Sequence, residues 1–136
     1  MIIDAKNTIL GRLGSYVAKQ VLLGEKVHVI NCEEAVISGR KKAILQEYKK
    51  RMNRKAPGKA PYFYRVSDKL VKRAIRGMLP YKRARGRDAF KNLRCYIGVP
   101  DNLKAEGALI LEKAGVEKLP FDYLKVKDIC RALGGR

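Results

Sequence analysis

The chain has 136 residues, 46% of them hydrophobic and 32% charged, with a formal net charge of +18. That length and apolar content suffice for one folded domain spanning residues 1–136 and exclude a wholly disordered chain. No apolar run approaches the ~20 residues that cross a bilayer, and Met1 to Lys6 has none of the features of a secretory signal, so a soluble intracellular protein with no membrane partner is expected.

Ile2-Ile3-Asp4-Ala5 predicts a first short strand. Asn7 or Thr8 then caps a helix from about Ile9 to Leu23, with Leu10, Leu13, Val17, Val21 and Leu22 on one side and Gly24 as its stop. Val27 to Asn31 predicts a second strand, apolar on both faces, so the opening reads as a β-α-β unit with a parallel pair. Gly11 and Gly14 lack the remainder of a dinucleotide-binding fingerprint, and their spacing predicts close packing of the helix on the sheet.

Three cysteines, Cys32, Cys95 and Cys130, are too far apart for a C-x-x-C pair, and each lies in or beside an apolar stretch. Buried free thiols in a reducing compartment are expected. Zinc is not, because His28 is the only histidine and sits inside the apolar run Val27-His28-Val29-Ile30. Glu33 and Glu34 follow the second strand and form the best acidic cluster. Metal-dependent nucleases place carboxylates at strand ends, but adjacent acids are more often a solvated helix start favoured by the helix dipole.

From Arg40 to about Arg54 a helix is expected with Ile44, Tyr48 and Met52 on one stripe and cations on the other faces. Lys55 to Arg65 contains two prolines, a glycine and three aromatics, and reads as an extended basic loop. Ser67 caps a helix ended by Pro80, with Val71, Ala74, Ile75 and Met78 inward and Lys69, Lys72, Arg73 and Arg76 outward. Tyr81 to Arg87 reads as a second basic loop, Asp88 to Leu93 as a short helix, and Arg94 to Val99 as a third strand. A helix-like stretch from Leu103 to Ala114 follows. Tyr123 to Val126 alternates like a fourth strand, and a short final helix through Ile129 and Leu133 is an alternative for the C-terminal end.

The fold class expected is α/β, three-layer α/β/α, with a mostly parallel sheet of about four strands and basic loop extensions.

The charge is unevenly placed. Residues 1–39 carry four basic and four acidic side chains, and residues 95–136 carry seven and six. Residues 40–94 carry twenty basic side chains against three acidic ones, a net +17. Repulsion of that size is tolerable when a polyanion neutralises it, which points to nucleic acid. The candidate binding residues are Arg40, Lys41, Lys42, Lys49, Lys50, Arg51, Arg54, Lys55, Lys59, Arg65, Lys69, Lys72, Arg73, Arg76, Lys82, Arg83, Arg85, Arg87, Lys91 and Arg94. Arg offers a planar fork to phosphate and Lys a mobile point charge. Tyr62, Tyr64 and Tyr81 offer ring faces to unpaired bases. No base-reading motif is present, so recognition of backbone and shape is expected. Both basic loops are expected to be mobile until RNA orders them.

No convergent catalytic constellation, metal site or cofactor motif is found, and no small-molecule substrate is expected. Two other readings stay open. One is a nucleic-acid-processing α/β enzyme using Glu33 and Glu34; the other is a general basic DNA-packaging protein.

The run Ala74-Ile75-Arg76-Gly77-Met78-Leu79-Pro80, then Gly86-Arg87, then Leu93-Arg94-Cys95-Tyr96-Ile97-Gly98 resembles the signature of the large-subunit ribosomal protein thirteen family. Asp4-Ala5, Leu10-Gly11-Arg12-Leu13 and Val29-Ile30-Asn31 followed by Gly39-Arg40-Lys41 are similar to that family's N-terminal half. The short link Gly24-Glu25-Lys26, and Val99-Pro100-Asp101-Asn102 after the signature glycine, resemble the archaeal and eukaryotic branch. The resemblance implies a mostly parallel sheet between helices. It also implies a non-enzymatic structural role on large-subunit ribosomal RNA, beside neighbouring ribosomal proteins in the cytoplasmic ribosome.

Overall fold

The computed structural model describes residues 1–54, 56–59, 62–103 and 107–135. In chain order the elements are β1 (Ile2–Asp4), α1 (Leu10–Leu22), β2 (Val27–Ile30), β3 (Val36–Ser38), α2 (Lys41–Asn53), α3 (Ser67–Gly77) and α4 (Ala84–Lys91). They continue with β4 (Leu93–Cys95), β5 (Leu109–Ile110), β6 (Tyr123–Lys125) and α5 (Val126–Ala132). Four strands form one sheet in the order β4-β2-β1-β5, with all three pairings parallel. β3 and β6 form a separate antiparallel ribbon. The fold is the expected three-layer α/β class with a mostly parallel sheet.

The β-α-β opening forms as its sequence predicts. Ile3 lies opposite Val29 across the parallel pair, and α1 buries Leu10, Leu13, Val17 and Val21. Gly24 closes the helix at φ 96°, a left-handed conformation that a Cβ disfavours. The start of α1 differs from the expectation, because neither Asn7 nor Thr8 caps it. Thr8 Oγ1 donates to the Lys6 carbonyl, and the Ile9 N–H donates to Ala114 O at 2.8 Å. A carbonyl distant in sequence thus meets one donor at the helix entry.

Gly14 is close-packed, but against a helix and not against the sheet. A Cβ there would lie 2.8 Å from Met78 Sδ, whereas one at Gly11 would meet nothing. Ser67 is likewise no cap. Val66 holds the cap position of α3, and the buried Ser67 hydroxyl faces Cys130 Sγ at 3.6 Å.

Four expectations change: one helix is replaced by a strand and a turn, two strands form with other bounds or partners, and one loop is largely helical. The described part of Leu103 to Ala114 is not helical: it holds β5 and a 3-10 turn at Glu112–Ala114, while residues 104–106 lie outside the described residues. The short apolar run Leu109-Ile110-Leu111 is one that periodicity cannot assign, and Gly107 at φ 92° interrupts a helix before it. The Tyr123 strand joins the unforeseen β3 outside the main sheet, and α5 follows it directly. The third strand stops at Cys95 as the chain turns towards Gly98 at φ 63°. The second basic loop is mostly helix, since α4 begins at Ala84.

Gly86 explains that last difference. A Cβ at this position would lie 2.2 Å from Pro80 O and 2.4 Å from its carbonyl carbon, so the glycine lets α4 close against the turn after α3. The core between sheet and helices contains Ile3, Val17, Val29, Val71, Ile75, Leu93 and Ile129, each fully buried or nearly so. Cys32 and Cys130 are buried free thiols, and Cys95 is half-buried. No described helix is long and apolar enough to cross a membrane.

Candidate nucleic-acid interface

The basic segment contains three helices, each apolar inward and cationic outward. α2 buries Ile44 and half-buries Leu45, Tyr48 and Met52, which leaves Lys41, Lys42, Lys49, Lys50 and Arg51 exposed with Arg40 and Arg54 at the two ends. α3 buries Leu70, Val71 and Ile75 and directs Lys69, Lys72, Arg73 and Arg76 away from them. α4 buries only Gly86 and Ala89, so Arg85, Arg87 and Lys91 stand in solvent with Lys82 and Arg83 before them. Lys59, Arg65 and Arg94 are exposed as well, and Lys72, Arg73 and Arg76 are half-buried. Lys55 lies outside the described residues.

These cations remain electrostatically uncompensated. Among the described residues, the only carboxylate ion pairs of this segment are Arg51 with Glu47 and Lys91 with Asp88, both at 2.9 Å and both exposed. Pairs of that kind contribute about 0–1 kcal/mol each and do not discharge the surface. Asp68, the third acid, accepts the Lys69 N–H.

All four cations of α3 lie over aromatic rings. Lys69 Nζ is 5.7 Å from the Tyr64 ring centre and Lys72 Nζ 5.0 Å from that of Phe90. The Arg73 guanidinium is 5.3 Å from Phe63 and that of Arg76 5.1 Å from Tyr81. Contacts of this type stabilise by roughly 0.5–1 kcal/mol when exposed. Here they also fix where the charges point and tie the flanking segments to α3. Arg73 Nη1 additionally donates to Tyr62 O at 2.8 Å, and Phe63 meets Tyr48 edge-on.

The aromatic part of the first loop is therefore in contact with α3. Tyr81 packs edge-on against Phe90. Of the three tyrosines expected to stack on bases, Tyr62 is the most open at 63% exposure, against 44% for Tyr64 and 40% for Tyr81.

One cation outside the segment belongs to the same surface. Lys19 on α1 lines a hollow with Ser15, Met78 and Arg85. Charge by segment does not single it out, because the charge around it is balanced. The available signal is its place on α1, exposed and opposite the buried stripe.

The acidic pair has structural partners. Both Glu33 carboxylate oxygens accept the Gly98 N–H, each at 3.1 Å, which holds the chain after β4. Glu34 accepts from Lys125 at 2.5 Å and Lys127 at 2.6 Å, joining the 3-10 turn Cys32–Glu34 to β6 and α5. The helix-start reading holds in part: this is a 3-10 turn, and its acids are partly buried and bonded. Among the described residues no group of three metal-ligating side chains converges.

Hydrogen bonds from the two lysines hold the Glu34 carboxyl down to about 2, below the ordinary 4.5. A carboxyl lowered by folding contributes stability that is complete above its unfolded value and is lost as pH falls through the folded one. The stability of the native chain is therefore expected to drop between about pH 4.5 and 2, and Glu34→Gln to flatten that part of the profile. Thermal melts of both proteins at about pH 5 and about pH 3 check this, one on each side of that range; parallel losses would refute the assignment.

His28, the lone histidine, is half-buried rather than fully within the core. It stacks on Tyr96 at 5.9 Å, with Nδ1 3.2 Å from the Tyr96 hydroxyl oxygen, and burial first, then the N-terminal ammonium and Arg94, lower its pKa. It is a packed side chain linking β2 to the turn after β4.

Comparison with known proteins adds an independent observation. Residues 1–102 match the family model described as ribosomal protein L13. The chain is 43% identical to large ribosomal subunit protein uL13 of Methanosarcina barkeri over 137 residues, covering 99% of this chain and 98% of that one. It is 42% identical to the protein of the same name from Archaeoglobus fulgidus, covering 99% and 88%. Over 99 residues it is 50% identical to that of Methanopyrus kandleri, covering 73% and 62%. The first two alignments run through the C-terminal quarter of the chain, beyond the signature. On the family match and the nearly full-length relatives together, the chain belongs to the ribosomal protein L13 family.

Proposed function

We propose that this chain is a structural constituent of the large ribosomal subunit that binds and stabilises large-subunit ribosomal RNA through the cationic faces of α2, α3 and α4. The observation that carries the reading is the concentration of twenty basic side chains in residues 40–94, with two carboxylate ion pairs among those described. The names of the relatives agree with it. Neighbouring large-subunit proteins are its other partners, and the cytoplasmic ribosome is its place of work.

Within this reading Tyr62 stacks on an unpaired base, and the cations held over rings by α3 contact phosphates. The role is non-enzymatic. A nuclease using Glu33 and Glu34 is disfavoured because both acids already serve Gly98, Lys125 and Lys127. A DNA-packaging role is separated by competition, in which large-subunit RNA is expected to displace duplex DNA.

The direct test is to tag the chain in its own cells, purify large subunits and wash them in high salt. Retention at one copy per particle is the expected result. Loss of the chain with the wash, or equal affinity for duplex DNA, would overturn the reading.

A further inference from the structure

The strand order places a crossing point between β1 and β5, towards the edge of the sheet opposite β4, the strand that α3 and α4 contact. From β1 the chain goes through α1 to β2, β4 adds beyond β2, and the chain then returns to lay β5 on the other side of β1. In open parallel sheets the crevice beyond the carboxyl ends of strands at such a reversal is where ligands bind. A cleft of about 730 Å³ lies there, between the residues after β1 and those after β5.

Its lining has a chemistry opposite to that of the basic helices. Ile110, 67% exposed, Val116 and the half-open Tyr123 supply apolar wall. Asp4, Glu112 and Glu117 supply three carboxylates, against Lys6 as the one cation among the described lining residues. One oxygen of Asp4 is occupied by the Lys6 N–H and Asn31 Nδ2. Glu112 and Glu117 have no ion pair among the described residues.

The carboxylates repel a nucleotide or an RNA phosphate, which are the usual occupants of this position and of this protein's other face. An apolar wall beside excess negative charge fits a chain that alternates apolar and cationic side chains. β5 is also an edge strand, and edge strands recruit extended peptides by adding a neighbour to the sheet.

We infer that this cleft, with the β5 edge, is a docking site for an extended, lysine- or arginine-rich segment of a second protein. The chain thereby holds RNA on one side and a basic protein segment on the other. The inference goes beyond the RNA reading and uses it only to choose the particle for one of two tests.

The first test needs no ribosome. The isolated full chain is titrated with the synthetic peptide Lys-Ile-Lys-Val-Lys-Ile and with Glu-Ile-Glu-Val-Glu-Ile while the amide resonances of Ile110, Gly115 and Val116 are followed. Saturable shifts with the cationic peptide alone are expected, weakened at least about tenfold in Glu112→Lys/Glu117→Lys. No saturation by about 1 mM, equal binding of both peptides, or the same shifts from Mg²⁺ or spermidine alone would overturn the proposal.

The second test places p-benzoylphenylalanine at Ile110, and separately at Tyr62, in chains assembled into large subunits. Irradiation is expected to join Ile110 to a protein segment with several Lys or Arg residues, and Tyr62 to RNA. A cross-link from Ile110 to RNA, to a second copy or to a non-cationic segment would overturn the docking site even with Tyr62 on RNA. Failure at Tyr62 with cationic-peptide binding intact would instead overturn the RNA face.

Discussion

Ile75→Asp is expected to abolish cooperative folding. Ile75 is fully buried on the inner side of α3, facing Gly14 of α1 across the helix pair. Removing its burial costs roughly 1.5–3 kcal/mol. Placing an unpaired carboxylate there adds several kcal/mol, whether the group ionises or is forced to stay protonated. Together these reach the about 5–15 kcal/mol that holds a typical domain. The measurement is a thermal melt with a heteronuclear NMR spectrum: the expected outcome is no cooperative transition and collapsed amide dispersion. Ile75→Val should cost only about 0.5–1.5 kcal/mol and keep the dispersion. Retention of a native spectrum by Ile75→Asp would mean that α3 does not anchor the core.

The parts of this fold that depend on local pattern are legible in the sequence. α1, α2 and α3 show apolar residues at helical spacing over about two turns or more, and each forms close to its predicted bounds. The parallel β1-β2 pair follows from a strand-helix-strand order with a very short final link. The candidate interface is legible for a different reason, because net charge by segment needs no structure to read. β3 and β5, by contrast, have three and two residues, and their pairing partners lie far away in sequence. Nothing local specifies them.

Two misreadings have the same physical origin. The aromatic segment Tyr62-Phe63-Tyr64 looks unanchored because its anchors are cations, Lys69 and Arg73 on α3, and the carbonyl of Tyr62 held by Arg73. Gly86 reads as a loop residue among arginines, yet it is glycine because Pro80 O leaves no room for a side chain. Acidic residues with a structural task are ambiguous too. Glu33 and Glu34 are legible as a cluster, but the Gly98 amide and the two lysines that occupy them come from 65 to 93 residues away.

Arg83, Arg85 and Arg87 separate binding from folding. All three are exposed, with none in an ion pair among the described residues; Arg85 and Arg87 are on α4 and Arg83 is at its N-cap, and the helix is seated by Gly86, Ala89 and Phe90. Changing them together to glutamine removes charge without removing core, so stability should move by no more than about 0.5 kcal/mol per site. RNA binding should respond strongly. If about six phosphates are neutralised by the native chain, its affinity falls on the order of 10³-fold between roughly 50 and 200 mM salt. Each phosphate that is no longer neutralised lowers the magnitude of the log–log salt slope by about 0.7–0.9, so the triple variant should have a slope smaller by about 2–2.7. Binding of a large-subunit RNA fragment across a salt series, with a melt of the same samples, reads both quantities. The α4 amides should also exchange slowly in the free chain, since its seating on Pro80 and Tyr81 needs no RNA. An unchanged slope would remove α4 from the interface, and a large fall in melting temperature would show the arginines to be structural.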